Sequence, residues 1–365
     1  MRILHILNDV RELGNGIINV AIDLACLQAK AGYEVAVASE GGEYEALLTN
    51  YGVTHFPLNQ QRQLGNLLRA AKGYRAIAQT FQPDIVHAHM MTGVVLARCL
   101  RRFGHYGLVS TVHNEFQRSA TLMGVADRVI AVSQAVADSM ARRGIPQRKL
   151  RVIRNGTLGS PRDRPSSLPE PISLQHPAIA TVAGMYQRKG ITELIAAFAQ
   201  IATDCPEAHL YLIGEGPDRQ MFETQAGATP VSERIHFLGF QPQPQRYLQA
   251  IDIFVLASHQ EPFGLVLSEA REAGCAIIAS NVDGIPEALD QGAAGLLVPP
   301  KDRAAIAAAL LELLQSPEQL QVWKERAQRN LGWLSVSRVQ QETLALYQEL
   351  IADRDRSKSS AHVGL

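Results

Sequence analysis

The sequence predicts an α/β protein built from two doubly wound domains with parallel sheets. Three observations carry the prediction. Short apolar runs, the pattern of strands covered on both faces, alternate with longer segments of helical periodicity along nearly the whole chain. The alternation restarts after residues 159–177, a stretch rich in Pro, Ser and charge that reads as an interdomain linker. A length of 365 residues supplies enough chain for two cores.

The first domain is expected over residues 1–158. Residues 3–7 read as a strand, 8–16 as a polar loop containing glycine, 17–31 as a helix ended by Gly32, and 34–39 as the next strand. This is a βαβ unit, and the crevice where strand order reverses in such folds binds nucleotides or their sugars. Gly16 lets the backbone approach a ligand, and Asn15 beside it tolerates left-handed backbone. A dinucleotide fingerprint is excluded, because its third glycine would fall on Asn19. Residues 52–58 give a short strand, and 64–81 an amphipathic helix carrying Arg69, Lys72 and Arg75. Strands follow at 84–89, 108–113, 126–133 and 149–153, with a helix to 102 after the first and another at 134–143. His113 ends its strand on the carboxyl rim, where α/β folds bind ligands. Of the alternating pair on the preceding strand, His87 is expected to be buried and His89 to be a cleft residue.

The second domain is expected over 178–332. A strand at 178–183 runs into the loop Gly184-Met185-Tyr186-Gln187-Arg188-Lys189-Gly190, and a helix follows at 191–202. Strands are expected at 209–213, 235–240, 253–257 and 275–280, and an Ala/Leu-rich helix at 304–314. Residues 333–352 read as a last helix, and the polar tail 353–365 as disordered.

The chemistry concentrates in residues 259–274. After the apolar strand, Pro262 and Gly264 force a loop; from Leu265 the composition favours helix, which Gly274 is placed to end. The amides of Gly264, Leu265 and Val266 at that helix start can hold a phosphate. Glu261 and Glu269 stand eight residues apart. On one helix that spacing, two turns plus about 80°, would split them between faces. With Glu261 on the loop and Glu269 on the helix, both can converge on one ligand and accept bonds from sugar hydroxyls.

The run Glu261-Pro262-Phe263-Gly264-Leu265 with Glu269-Ala270 resembles the E-x7-E motif of the retaining glycosyltransferases of family four. Gly284-Ile285-Pro286-Glu287 and 295–299 extend the resemblance, which covers most of the chain. It implies the GT-B fold, two Rossmann-like domains facing a cleft, with the donor held mainly by the second domain and the acceptor by the first. It implies hexosyl transfer with retention from a UDP- or GDP-hexose to a saccharide or lipid-linked acceptor, with no metal and no cofactor. In that scheme Glu269 holds the ribose, Glu261 and His113 hold the sugar hydroxyls, Lys189 and the helix amides hold the diphosphate, and Gly16 lets the first-domain loop close over the phosphate. The last helix would cross back to the first domain, and Asn155-Gly156 resembles the family hinge. The family has an Arg where this chain has Met185, in a loop here one residue shorter, so Arg188 either substitutes or is an exposed neighbour of Lys189. Two other readings use the same residues: a nucleotide-sugar-binding partner subunit without activity, and a nucleotide-sugar epimerase.

Composition narrows the setting. The chain has 35 Lys and Arg against 35 Asp and Glu, and nucleic acid is not expected as a partner. The charge is unevenly shared: residues 1–160 hold 18 basic and 11 acidic side chains. That surplus fits an anionic acceptor or peripheral contact with a membrane surface, and equally fits attraction between the two halves. Four scattered cysteines without metal-type spacing, a polar turn soon after Leu7 and no apolar run of membrane-spanning length lead us to expect a cytoplasmic protein with reduced thiols.

Overall fold

The computed structural model describes residues 1–61, 64–163 and 172–362 (side chains excepted at 64, 67 and 357–362). The chain divides into two compact units, Met1–Arg164 with Ser335–Leu365, and Pro165–Leu334. In the first unit the strands are β1 (Arg2–Ile6), β2 (Glu34–Ser39), β3 (Thr54–Pro57), β4 (Ile85–Ala88), β5 (Gly107–Val112), β6 (Arg128–Ala131) and β7 (Leu150–Val152). The helices among them are α1 (Gly16–Lys30), α2 (Glu45–Asn50), α3 (Leu64–Phe81), α4 (Met91–Cys99) and α5 (Gln134–Arg142). The strands pair in parallel in the order β3-β2-β1-β4-β5-β6-β7.

The second unit repeats the plan. Its strands are β8 (Ala178–Val182), β9 (His209–Ile213), β10 (Ile235–Gly239), β11 (Ile253–Leu256), β12 (Ala276–Ser280) and β13 (Leu296–Val298). Its helices are α6 (Ile191–Ile201), α7 (Arg219–Gly227), α8 (Gln245–Leu248), α9 (Leu265–Ala273), α10 (Ile285–Ala288), α11 (Arg303–Gln315) and α12 (Pro317–Ala327). The sheet order is β10-β9-β8-β11-β12-β13, again parallel. In each unit the order reverses beside the first strand, at β1/β4 and at β8/β11, which are the places where doubly wound sheets open a ligand crevice. Strands such as Ala276–Ser280 are buried along their whole length because helices cover both faces.

Two expected segments differ from the sequence reading. The polar tail from residue 353 was expected to be disordered, yet α13 (Val336–His362) is helical through 353–362; residues 363–365 lie outside the described residues. Arg128 bonds Asp353 at 2.5 Å and Glu349 at 3.3 Å, and Arg151 bonds Glu349 at 2.7 Å. These contacts hold the flank of a helix that, once begun, extends at little cost per residue. The start of the expected linker is likewise anchored. Ser160 donates to Asp23 at 2.6 Å, and Arg162 donates to both oxygens of that carboxylate, at 2.9 and 3.0 Å. Composition marked 159–163 as loose chain, but a buried Asp on α1 fixes it. Residues 164–171 of that segment lie outside the described residues.

Candidate active site

In the second unit the loop after β8 and the loop after β11 leave adjacent strands at the sheet reversal. The first ends in a short 3-10 turn, Gln187–Lys189, and then Gly190 at φ 68°. A side chain at Gly190 would collide with the carbonyl of Ala257, so glycine permits the two loops to touch. His259 closes the contact from the other side, its N–H donating to the Arg188 carbonyl at 2.8 Å. Lys189 Nζ thereby meets Glu261 Oε2 at 2.5 Å, with 15% and 12% of the two side chains exposed. Ser258 Oγ donates to the same carboxylate oxygen at 3.4 Å.

Beyond Glu261 the chain turns through Gly264, at φ 83°, into α9. Leu265 and Val266 form its first turn, and Glu269 sits half-buried one turn further on. Two contacts hold the Glu261 backbone: its N–H donates to Asp283 at 2.9 Å, and its carbonyl accepts from the Gly284 N–H at 3.1 Å. Asp283 takes φ 45°, a left-handed backbone that Asp adopts more readily than most residues. Arg271, fully buried in α9, donates to the carbonyls of Ala288, Ala327 and Arg329 and to Asp290. Asp290 also accepts from Trp333 Nε1 at 3.0 Å, and Trp333 packs edge-on against Phe263. Thus the Pro-Phe-Gly loop rests on a buried polar clamp in which each guanidinium nitrogen of Arg271 donates a hydrogen bond.

The structure brings Lys189 and Glu261 together and places Gly264, Leu265, Val266 and Glu269 on the same loop and helix. Arg188 is not delivered to the carboxylate; its guanidinium lies 5.4 Å from the Tyr186 ring centroid. Met185, at the position of the expected Arg, is fully buried in the apolar core. Gly16 and His113 belong to the first unit. Gly16 opens α1, and Asn15 departs from the expected left-handed backbone: it is extended and caps the helix, its Oδ1 accepting from the Ile17 N–H at 3.0 Å. Gly14 carries the left-handed turn instead, at φ 65°.

His113 is half-buried just past β5, and behind it the sheet face is lined with histidine. His113 Nε2 lies 3.1 Å from His89 Nδ1, His89 Nε2 lies 3.0 Å from His5 Nδ1, and His5 Nε2 lies 2.8 Å from Gln28 Oε1. His89, expected in the cleft, is buried, because its strand position puts it on the same face as His5 and His87, under helices. His87 is buried as expected and bonds Tyr347 Oη at 2.5 Å and Thr111 Oγ1 at 2.6 Å. Burial lowers the basicity of all four rings, to about 4 for His5 and about 3 for His113. Among the described residues, His5, His87 and His89 are the group whose ligand atoms converge as a metal site would, within 4.8 Å. All six of their ring nitrogens already have partners, and among the described residues none of these is a carboxylate. A divalent ion there would break these bonds and bury its charge without an anion.

Comparison with known proteins gives the architecture a family. Residues 14–157 match the family model for Glycosyltransferase Family 4, and residues 168–330 that for Glycosyl transferases group 1. The chain belongs to the family 4 glycosyltransferases. This glycosyltransferase is 28% identical to the glycogen synthase of Mycobacterium tuberculosis over 291 residues, 71% of this chain and 68% of that one. It is 23% identical to the phosphatidyl-myo-inositol mannosyltransferase of Mycolicibacterium smegmatis, over 92% of this chain and 91% of that one. Among solved structures it shares the GT-B fold with Anabaena HepE in complex with UDP and glucose, at TM-score 0.81 and 20% identity, covering 96% of this chain and all of that one. Among the described residues of the glycosyltransferase, no helix is long and apolar enough to cross a membrane.

Sequence reasoning missed Asp283, Arg271 and the Gln28–His5–His89 chain. Asp283 sits beside the recognised Gly-Ile-Pro-Glu run, which was a usable signal. Arg271 and Gln28 look in sequence like ordinary helix residues, and nothing local marks them as buried.

Proposed function

We propose that the protein transfers a hexosyl group, with retention and without a metal, from a UDP- or GDP-hexose to a saccharide or lipid-linked acceptor in polysaccharide or glycolipid synthesis. The observation that carries this reading is Lys189 paired with Glu261 at the sheet reversal, beside the start of α9. A diphosphate entering there competes with Glu261 for Lys189. It gains a cation and the free amides of Leu265 and Val266, and Glu261 is released toward the sugar hydroxyls. Glu269 is assigned to the ribose, His113 to a sugar hydroxyl and Gly16 to the loop that approaches the phosphate. Arg188 remains a nearby second cation. Lys189 and the amides would carry the charge that a metal carries elsewhere. In the reaction the bond from the anomeric carbon to the phosphate oxygen breaks and one to the acceptor oxygen forms on the same face. The acceptor proton passes to the departing phosphate, so positioning and electrostatics supply the rate. The uridine complexes of Anabaena HepE support a uridine donor.

The test is a thermal-shift screen against UDP-, GDP- and ADP-hexoses, followed by turnover in EDTA with the product anomer read by NMR. Saturation at 100 times Kd should stabilise the protein by about 2.7 kcal/mol. No stabilisation by any donor, an inverted anomer or loss of turnover in EDTA would each refute the corresponding part. Met185, buried in place of a cation, favours the inactive partner-subunit reading. Turnover by the isolated chain removes that reading.

A further inference from the structure

The chain behind His113 has a direction. The Gln28 amide stands with Oε1 2.8 Å from His5 Nε2 and its own Nε2 buried without a partner among the described residues; in this orientation the oxygen accepts, so His5 carries its proton on Nε2. A neutral imidazole has one donor and one acceptor nitrogen, so His5 Nδ1 accepts. His89 Nε2, 3.0 Å away, must then donate, which leaves His89 Nδ1 as acceptor. His113 Nε2, 3.1 Å from that atom, must in turn donate. The remaining nitrogen of His113, Nδ1, is left with a lone pair, and among the described residues it has no hydrogen-bond partner.

We infer that Gln28, His5 and His89 act as a buried tautomer relay, fixing His113 as a neutral ring whose Nδ1 accepts a hydrogen bond from a hydroxyl of the donor sugar. The sugar contact rests on the function proposed above; the relay itself does not. Gln28, His5 and His89 are 0%, 0% and 2% exposed, so no water competes with the chain from within. Each link lies on rigid structure: Gln28 on α1, His5 on β1, and His89 one residue beyond β4, which pairs with β1 at His5 and His87. Burial also keeps the rings neutral, which the alternation of donor and acceptor requires. A neutral acceptor suits a neutral hydroxyl and leaves the phosphate to Lys189. The three inner residues are positioning residues, since none reaches the rim.

The relay is tested by two-bond 15N–1H correlation of the histidine rings in the full-length protein near neutral pH, with His113 assigned by its loss in His113→Asn. Wild type should show His5, His89 and His113 as Nε2–H tautomers. Gln28→Met removes the acceptor that orders the chain, and His5→Phe breaks it one link further on. Either should convert His113 to a mixture of tautomers and raise the donor KM by about tenfold, the worth of one hydrogen bond, with UDP affinity unchanged. A wild-type His113 carrying its proton on Nδ1, or charged, overturns the relay even if neither variant folds. Variants that leave the His113 tautomer unchanged overturn it as well. A changed tautomer with an unchanged donor KM overturns the link to the sugar. Failure of every donor to bind would refute the proposed function while the wild-type spectrum still decides the relay.

Discussion

The two units share a sheet plan but carry opposite chemistry at the reversal point. In the second unit, ions stand at the carboxyl edge: Lys189 on Glu261, backed by Arg271 on Asp290. In the first unit the same place is neutral, three histidines joined through ring nitrogens and closed by an amide, with His87 packed beside them. Topology therefore fixes where a site forms and leaves its charge to side chains. A charged edge is suited to a diphosphate, whose charge changes hands in the reaction. A neutral polar edge is suited to hydroxyls, which need direction more than field.

The comparison breaks most sharply at the lysine. Lys189→Met should lower kcat/KM by about 10³-fold, since a cation facing a departing diphosphate is lost. Steady-state kinetics that show less than a tenfold change would remove the charged edge from the mechanism.

Next in size come the two glutamates, which test whether charge is divided within the second unit. Glu261→Gln should lower kcat by about 10²-fold, because its contact is with the sugar that changes in the transition state, and should keep or raise diphosphate affinity, because its carboxylate no longer competes for Lys189. Glu269→Gln should instead weaken diphosphate binding and raise the donor KM. Calorimetry beside steady-state rates separates them, and the reverse pattern would exchange the roles.

The neutral edge is tested by acid. His5 has its basicity lowered by burial from 6.5 to about 4, so the unfolded chain binds more protons between those values. Its contribution to stability is whole above 6.5 and is lost as the pH falls toward 4, on the order of 1–3 kcal/mol. Urea unfolding at about pH 7 and pH 5 measures it, and a smaller loss in His5→Phe would tie it to the relay. Equal stability at both pH values would mean the rings are not neutral by burial.

The smallest effect is expected on the surface of the first unit. Arg69, Lys72 and Arg75 are exposed on α3, beside Leu68 at 72% exposure. Charge reversal at the three should weaken binding to anionic vesicles or acceptor use a few-fold, in a salt-dependent way, and leave donor binding alone. No change in either would leave attraction between the halves as the account of the basic surplus.

Much of the fold was legible in the sequence. The bounds of α3, α9 and β9 follow from periodicity and from Gly274, because those signals act over one or two turns of chain. The loop-plus-helix setting of Glu261 and Glu269 was legible for the same reason, since Pro262 and Gly264 dictate backbone locally. Short helices such as α7 and the helical continuation past Asp353 were not, because both depend on packing partners far along the chain.

At the site, the sequence by itself determined which residue types stand at the carboxyl edges: Lys189, Glu261, Glu269 and His113. Tertiary structure alone decided their company. Lys189 finds Glu261 across 72 residues, Arg271 finds the carbonyl of Arg329 across 58, and His5 finds His89 across 84. A local pattern sets φ, ψ and the face a side chain takes, within a few residues. Pairing of buried polar groups is settled only when the sheet brings its strands into register, because an unpaired donor or acceptor in the interior costs more than the bond it forgoes.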